Sequence, residues 1–101
     1  MNEEERIEYV KYRIESAYQT YEAAKVLAES GYYNSAVNRL YYSVFYAVKA
    51  LLVLNDIPSK THSNTKSQFS QHFVKTGIFD KEYGRLFSEL LDWRQKGDYD
   101  C

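Results

Sequence analysis

The most informative part of the chain runs from Ser35 to Val53 and reads SAVNRLYYSVFYAVKALLV. Apolar residues recur in it every three or four positions, which is the spacing of one face of an α-helix. Its two other faces carry small residues or a mixture of cations and aromatics, so none is typical of a plain solvated surface. Such a helix is expected to be central in its fold or at an interface. The main apolar face carries Val37, Leu40, Tyr41, Val44, Val48, Leu51 and Leu52.

Three more helices are predicted around this one, from their apolar stripes and from start and stop residues. No segment alternates apolar and polar residues between two turns, so no strand is expected. The predicted boundaries are Asn2 to Ser30-Gly31 for the first helix, Asn34 or Ser35 to about Asn55 for the second, a third after the polar connection Lys60–Asn64 and ending near Thr76-Gly77, and Asp80 to near Lys96-Gly97 for the fourth.

The predicted fold is an all-α, up-and-down bundle of four helices, because the connections are short and neighbouring helices should pack antiparallel. Residues 1–101 are expected to form a single domain, since this length suits one core. The last four residues follow a predicted helix break at Gly97 and look unfinished. They are either a short tail or the start of a fifth, C-terminal helix that the domain lacks.

Composition excludes several functional classes. The 101 residues include 13 basic and 14 acidic side chains, which give a net charge of −1 and no general attraction to nucleic acid or anionic lipid. The single cysteine excludes a disulfide framework and a cysteine zinc site. No apolar run approaches the ~20 residues of a membrane span. We expect a cytoplasmic protein without a membrane partner, a metal or another cofactor.

Arg94 is the residue that departs most clearly from its surroundings. It lies four positions after Leu90 and seven after Phe87, on the apolar stripe of the fourth helix. A guanidinium keeps its charge and is costly to bury alone, so it must reach water, pair with a carboxylate or bind an anion. Pairing with Asp98 or Asp100, or with the dipole of the helix end, is the structural alternative to anion binding.

A second group of polar residues shares one face of the second helix. Arg39, Tyr42, Tyr46 and Lys49 combine cations with aromatic rings, and Asn38 lies beside them. Such a face can hold phosphate and stack a base. It can equally form half of a dimer interface, where tyrosine and arginine are enriched.

His62 lies in the polar segment before the third helix, close to Lys60. A histidine and a lysine near a helix N-terminus can bind an anion. The alternative is that His62 only helps to cap the helix. His72 is too far along the chain to give a recognisable metal-ligand spacing with it.

The order of these motifs resembles the HEPN-domain family, and in particular its small prokaryotic branch labelled UPF0332. The resemblance extends from about residue 6 to residue 100. The segments that carry it are Ala36–Phe45, Ala47, Ala50–Leu52, Ser59–Ser63, Phe69, Phe73–Lys75, Gly77, and Arg94 followed by Asp98-Tyr99.

The resemblance implies a bundle of four or five helices, so we expect that this domain lacks a fifth, C-terminal helix. It also implies a module that commonly forms homodimers and is often encoded beside a minimal nucleotidyltransferase, as half of a toxin–antitoxin or defence pair. Catalytic members are metal-independent endoribonucleases whose signature is an arginine followed within a few residues by a histidine at the dimer cleft. Arg94 matches that arginine, whereas Tyr99 stands at the near end of the stretch where the histidine would lie. A tyrosine with a pKa of about 10 is a poor general base at neutral pH.

The favoured hypothesis is therefore a homodimeric module that associates with a nucleotide or RNA and with a nucleotidyltransferase, without catalysis of its own. Two alternatives stay open: a metal-independent endoribonuclease toxin and a purely structural oligomerisation domain. The candidate anion-binding residues are Arg94, Asp98, Tyr99, Arg39, Asn38, Tyr42 and His62.

Overall fold

The computed structural model describes residues 1–100, with side chains as far as Lys96. Four α-helices make up nearly all of it, which confirms the all-α prediction. The third helix continues into one wider π-helical turn. The elements are α1 (Glu3–Glu29), α2 (Tyr33–Leu54), α3 (His62–Phe69), the π turn (Ser70–Val74) and α4 (Lys81–Asp100).

Local capping explains where several helices begin and end. The side chain of Asn2 accepts a hydrogen bond from the Glu5 amide at 2.8 Å, and the Glu5 carboxylate accepts one from the Asn2 amide at 3.4 Å. This reciprocal pair is a capping box, which fixes the start of α1. Gly31 and Gly77 adopt φ values of +85° and +84°, which favour glycine, so both predicted stops are confirmed.

Three predicted boundaries were wrong. The second helix starts at Tyr33, one or two residues early. The third starts at His62, inside the predicted polar connection, because the Thr61 hydroxyl caps it by accepting from the Asn64 amide at 3.0 Å. The fourth helix does not end near Gly97 but continues to Asp100, since an interior glycine costs only about 1 kcal/mol. A fifth helix would lie outside the described residues.

The helix α2 is central in the fold, as predicted. It packs against α1 on one side and against α3 and α4 on the other, while α1 packs against no described helix except α2. The Ser43 hydroxyl donates to the Ala17 carbonyl at 2.8 Å. The face of α2 that carries small residues, Ser43 among them, is therefore turned towards α1. The main core on the other side consists of Tyr41, Val48, Leu52, Phe69, Phe73, Phe87, Leu90 and Leu91.

The apolar stripe predicted for α1 is covered only in part. Ala17 and Ala24 are buried, but Ile7, Ile14 and Tyr21 are each more than a third exposed. The reason is that α1 contacts a single helix, so only the narrow strip facing α2 is covered.

By length and composition alone, α2 is apolar enough to cross a membrane, contrary to the expectation from the sequence. The core helix of a globular protein passes the same test, and α2 occupies that position here. The finding is therefore weak evidence for a membrane span.

Leu52 and Leu54 provide a matched test of this packing, because they lie two residues apart on α2. Leu52 is fully buried, whereas Leu54 is half exposed. We expect Leu52→Ala to lower the free energy of unfolding by about 2–5 kcal/mol through the cavity that it leaves. Leu54→Ala should change it by no more than about 0.5 kcal/mol. Urea unfolding followed by circular dichroism measures both, and equal losses would contradict the described core.

Candidate functional site

Tyr41 joins three helices at the candidate site. Its side chain is completely buried on α2. Its hydroxyl lies 2.6 Å from Nδ1 of His62 at the start of α3. Its ring lies 5.9 Å from the ring of Phe87 on α4. Sequence reasoning assigned Tyr41 only to the core, because its place on the main apolar face gave no sign of a polar partner.

Arg94 points inward from α4, onto the same tyrosine. Its guanidinium carbon lies 5.4 Å from the ring centroid of Tyr41 and 5.3 Å from that of Tyr42. The side chain is partly buried. Contact of a guanidinium with the face of an aromatic ring is favourable, and more so when the charge is partly desolvated. The position that the stripe predicted for Arg94 is therefore the one observed, whereas its role in binding stays a prediction.

Arg39 brings a second guanidinium to Tyr42, with 5.2 Å between its central carbon and the ring centroid. Two of its nitrogens, Nε and Nη2, donate to Oδ1 of Asn38 at 3.2 and 2.8 Å. Asn38 thus orients Arg39. Two cations at one ring create a local positive field that suits an anionic ligand. We refer to Arg39, Tyr41, Tyr42, His62 and Arg94 as the arginine–tyrosine cluster.

His62 lies in an aromatic setting within this cluster. Its imidazole stacks on Phe45, with ring centroids 4.3 Å apart and an interplanar angle of 17°. Burial lowers the pKa of His62, and the positive charges of Arg94 and Lys49 lower it further. Burial also raises the pKa of Tyr41 to about 12, although the charge of Arg94 acts in the opposite direction. Both groups are therefore neutral at pH 7, and the phenol can donate its proton to an unprotonated Nδ1.

The other predicted residues of the α2 face have separate contacts. Lys49 Nζ donates to the Ser59 carbonyl at 2.8 Å and lies 3.0 Å from the Ser59 hydroxyl, so it ties α2 to the loop before α3. The ring of Tyr46 is contacted by Arg13 of α1 at 5.1 Å. Sequence reasoning missed Arg13, although its spacing of four from Tyr9, whose hydroxyl accepts from Arg13 Nε at 3.1 Å, was a signal.

Two predicted site residues fall beyond the described side chains. The backbone of Asp98 and Tyr99 belongs to α4, four and five positions after Arg94. Their side chains lie outside the described residues, so their roles stay predictions. Within residues 1–96, no three His, Cys, Asp or Glu side chains come together in a way that could hold a metal ion.

Comparison with known proteins identifies one family. The model of the HEPN domain matches residues 10–101. A Thermotoga maritima protein named "UPF0332 protein" is 38% identical over 98% of this chain and 74% of its own length. A Methanocaldococcus jannaschii protein named "Putative toxin MJ0142" is 42% identical over 87% of this chain and 60% of its own. Another protein from that organism, named "Putative toxin MJ0605", is 36% identical over 91% of this chain and 69% of its own length.

The protein is thus an all-helical domain with a cationic, aromatic cluster where α2, α3 and α4 meet. The chain belongs to the HEPN domain family, as its sequence motifs predicted. It spans between about three fifths and three quarters of the relatives named above. No solved structure matches it.

The lowered pKa of His62 predicts how stability depends on pH. The unfolded chain takes up a proton at this histidine near its ordinary pKa of 6.5, whereas the folded protein does so only at lower pH. Unfolding therefore binds a proton in the window below pH 6.5, and stability is lost as the pH falls through it. We expect His62→Gln to lose less stability than the wild type between pH 7.5 and 5.5, measured by urea unfolding.

Tyr41→Phe is the matched variant for this experiment. It removes the hydroxyl partner of His62 but keeps the buried imidazole and the nearby cations. It should be less stable at every pH by roughly 1 kcal/mol for the lost hydrogen bond, and it should retain the pH dependence. If His62→Gln showed the wild-type pH dependence, another group would be responsible.

Proposed function

We propose that this HEPN domain is a toxin-like module that binds RNA or a nucleotide through the arginine–tyrosine cluster. We further propose that it works as a homodimer beside a minimal nucleotidyltransferase, in a toxin–antitoxin or defence pair, and in the cytoplasm. The observation that carries the proposal is the pair of guanidinium groups, Arg39 and Arg94, on the ring of Tyr42. The relatives named as toxins support it.

Phosphate is the ligand chemistry that fits these residues best. A guanidinium presents several N–H donors in a plane and binds phosphate through two of them at once. Aromatic rings beside such cations can stack a base. The cluster combines both features, while the chain as a whole carries a net charge of −1. Attraction to a polyanion would therefore be local, at this cluster, rather than general.

The proposed dimer is supported by an exposed apolar strip on α4. Tyr83, Leu86 and Trp93 are 55%, 45% and 63% exposed, and their spacing places them near one another along the helix. Trp93 precedes Arg94 in the chain. Pairing of two copies through this strip would cover these side chains and bring the two Arg94 residues towards a shared cleft.

The proposal leaves catalysis out because no histidine follows Arg94 in this sequence. One observation favours the alternative of a metal-independent ribonuclease. His62 and Arg94 both contact Tyr41, one at its hydroxyl and the other at its ring. As a general base, the neutral His62 would accept the proton of a ribose 2′-hydroxyl at Nδ1, which requires that the Tyr41 hydroxyl first release this nitrogen. His62 would then take the part of the missing histidine.

Charge placed on the α4 strip tests the dimer. We expect Leu86→Asp to convert the dimer into a monomer, because a carboxylate at a covered apolar contact loses its hydration without a partner. Val26→Asp is the matched control, since Val26 is 61% exposed on α1. Sedimentation equilibrium measures the mass of both variants. A wild-type monomer, or a Leu86→Asp variant that stays dimeric, would contradict this interface.

Replacement of Arg94 tests the binding site. Binding of a labelled single-stranded RNA, measured by fluorescence anisotropy, should weaken about tenfold to a hundredfold in Arg94→Ala, as expected for the loss of a charged hydrogen-bond donor. The affinity of Arg94→Lys should lie between those of the wild type and Arg94→Ala, because lysine keeps the charge but not the planar donor pair. Arg6→Ala is the control, since Arg6 pairs with Glu3 and Asp56 away from the cluster. Equal binding by all variants would refute the site.

The same proteins decide between the binding module and the ribonuclease. RNA incubated with wild-type protein in the presence of a chelator should stay intact if the module is non-catalytic. Cleavage that disappears in both Arg94→Ala and His62→Gln would establish the ribonuclease instead. Pull-down of a minimal nucleotidyltransferase encoded beside this protein tests the partner, and failure to associate would remove that part of the proposal.

A further inference from the structure

A basic groove lies between α4 and the continuous helix formed by α3 and the π turn. Its volume is ≈ 560 Å³, which is within the range of small-ligand sites. Phe69 and Val74 contribute apolar surface to it, and hydroxyl groups come from serines on both sides. Its four charged lining residues are all cations: Lys66, Lys75, Lys81 and Arg85.

The lining of this groove carries positive charge only. None of its lining residues is an aspartate or a glutamate. Within residues 1–96, the ion pairs involve Arg6 and Lys25 on α1 but none of the four groove cations. Lys66 Nζ instead donates to the Ser88 hydroxyl at 3.3 Å, across the groove. In a chain with a net charge of −1, four cations gathered without a carboxylate form a concentrated positive field.

The π turn helps to bring these cations together. Lys66 and Lys75 are nine residues apart, and in a straight α-helix nine residues span two and a half turns, which places them on opposite faces. The Lys75 amide donates to the Ser70 carbonyl at 2.8 Å, five residues back, which is the bond of a π turn. Each residue of the wider turn rotates less about the helix axis, which reduces the angle between the two lysines. Both lysines line the groove. Such turns are frequent at functional sites.

The groove is separate from the arginine–tyrosine cluster. Arg85 and Arg94 are also nine residues apart, and both lie in the uninterrupted helix α4. They therefore lie on opposite faces of that helix. The face carrying Arg94 turns towards Tyr41 on α2, whereas the face carrying Arg85 turns towards the groove.

We propose that this groove is a second binding site, which takes clustered phosphate groups such as those of a nucleotide or of a nucleic acid strand. Lysine and arginine side chains bind phosphate, and the serine hydroxyls add donors. The apolar surface of Phe69 and Val74 suits the organic part of such a ligand. The inference rests on the groove alone, so it stands whether or not Arg94 binds RNA.

The experiment measures binding of three probes by the full chain: inorganic tripolyphosphate, ATP and a short single-stranded RNA. The test variant is Lys75→Gln/Lys81→Gln, at two exposed positions of the groove. The matched control is Lys11→Gln/Lys25→Gln, which removes the same charge from exposed positions of α1. Arg94→Ala separates the two sites, because it weakens the arginine–tyrosine cluster. Binding that remains in this background, and that is lost when Lys75→Gln/Lys81→Gln is added, belongs to the groove.

For the RNA probe, the affinity is measured in the Arg94→Ala background as a function of salt concentration. Four phosphate contacts predict that affinity falls about 50-fold between 50 and 200 mM salt, and two remaining contacts predict a fall of about sevenfold. The test variant should show the smaller dependence and the control the larger one. Binding of tripolyphosphate and ATP without RNA would identify a nucleotide site, and binding of RNA would identify a strand site.

Either of those results supports the groove, provided that the test variant weakens binding and the control does not. The proposal is overturned if no probe binds below millimolar concentration, or if the test variant binds as tightly as the control. If tripolyphosphate binding were lost in Arg94→Ala but kept in Lys75→Gln/Lys81→Gln, the arginine–tyrosine cluster would be the only phosphate site of the two. The groove and the proposed function can therefore fail separately.

Discussion

From α2, the side chain of Tyr41 contacts both α3 and α4, and the packing of these three helices depends on it. Its ring packs in the core against Phe87, its hydroxyl binds His62, and its face receives Arg94. A buried tyrosine needs a partner for its hydroxyl, and the start of α3 supplies one. The same residue therefore holds the helices together and positions the polar groups. Stability and site geometry cannot be varied independently at this position.

The cations of this nearly neutral chain are distributed unevenly. Arg39 and Arg94 meet at Tyr42, and Arg13 of α1 contacts Tyr46 one turn further along α2. Aromatic rings thus line one side of α2, and guanidinium groups contact their faces. An arrangement of this kind places the planar donors of a guanidinium beside an aromatic surface. It gives the HEPN fold of this chain a chemical character that suits phosphate.

The candidate site could be predicted in part from the sequence. The spacing of Arg94 from Phe87 and Leu90 placed it on the inward face of α4, because the 3.6-residue period is a local property of the helix. The meeting of Arg94 with Tyr42 and the contact of His62 with Tyr41 could not be predicted, because they join residues that are far apart in the chain. The same limit applies to α1. Its helical period was predicted correctly, but packing on α2 covers a narrower strip of the helix than its apolar stripe.

The amino-acid sequence was enough to predict four helices, a cap at Asn2, stops at Gly31 and Gly77, and the family to which the chain belongs. These depend on neighbouring residues and on the order of motifs. The three-dimensional structure was needed to show which faces are covered and that a π turn brings Lys66 and Lys75 to one groove. Both depend on how one helix packs on another, and no single segment of the sequence determines those contacts.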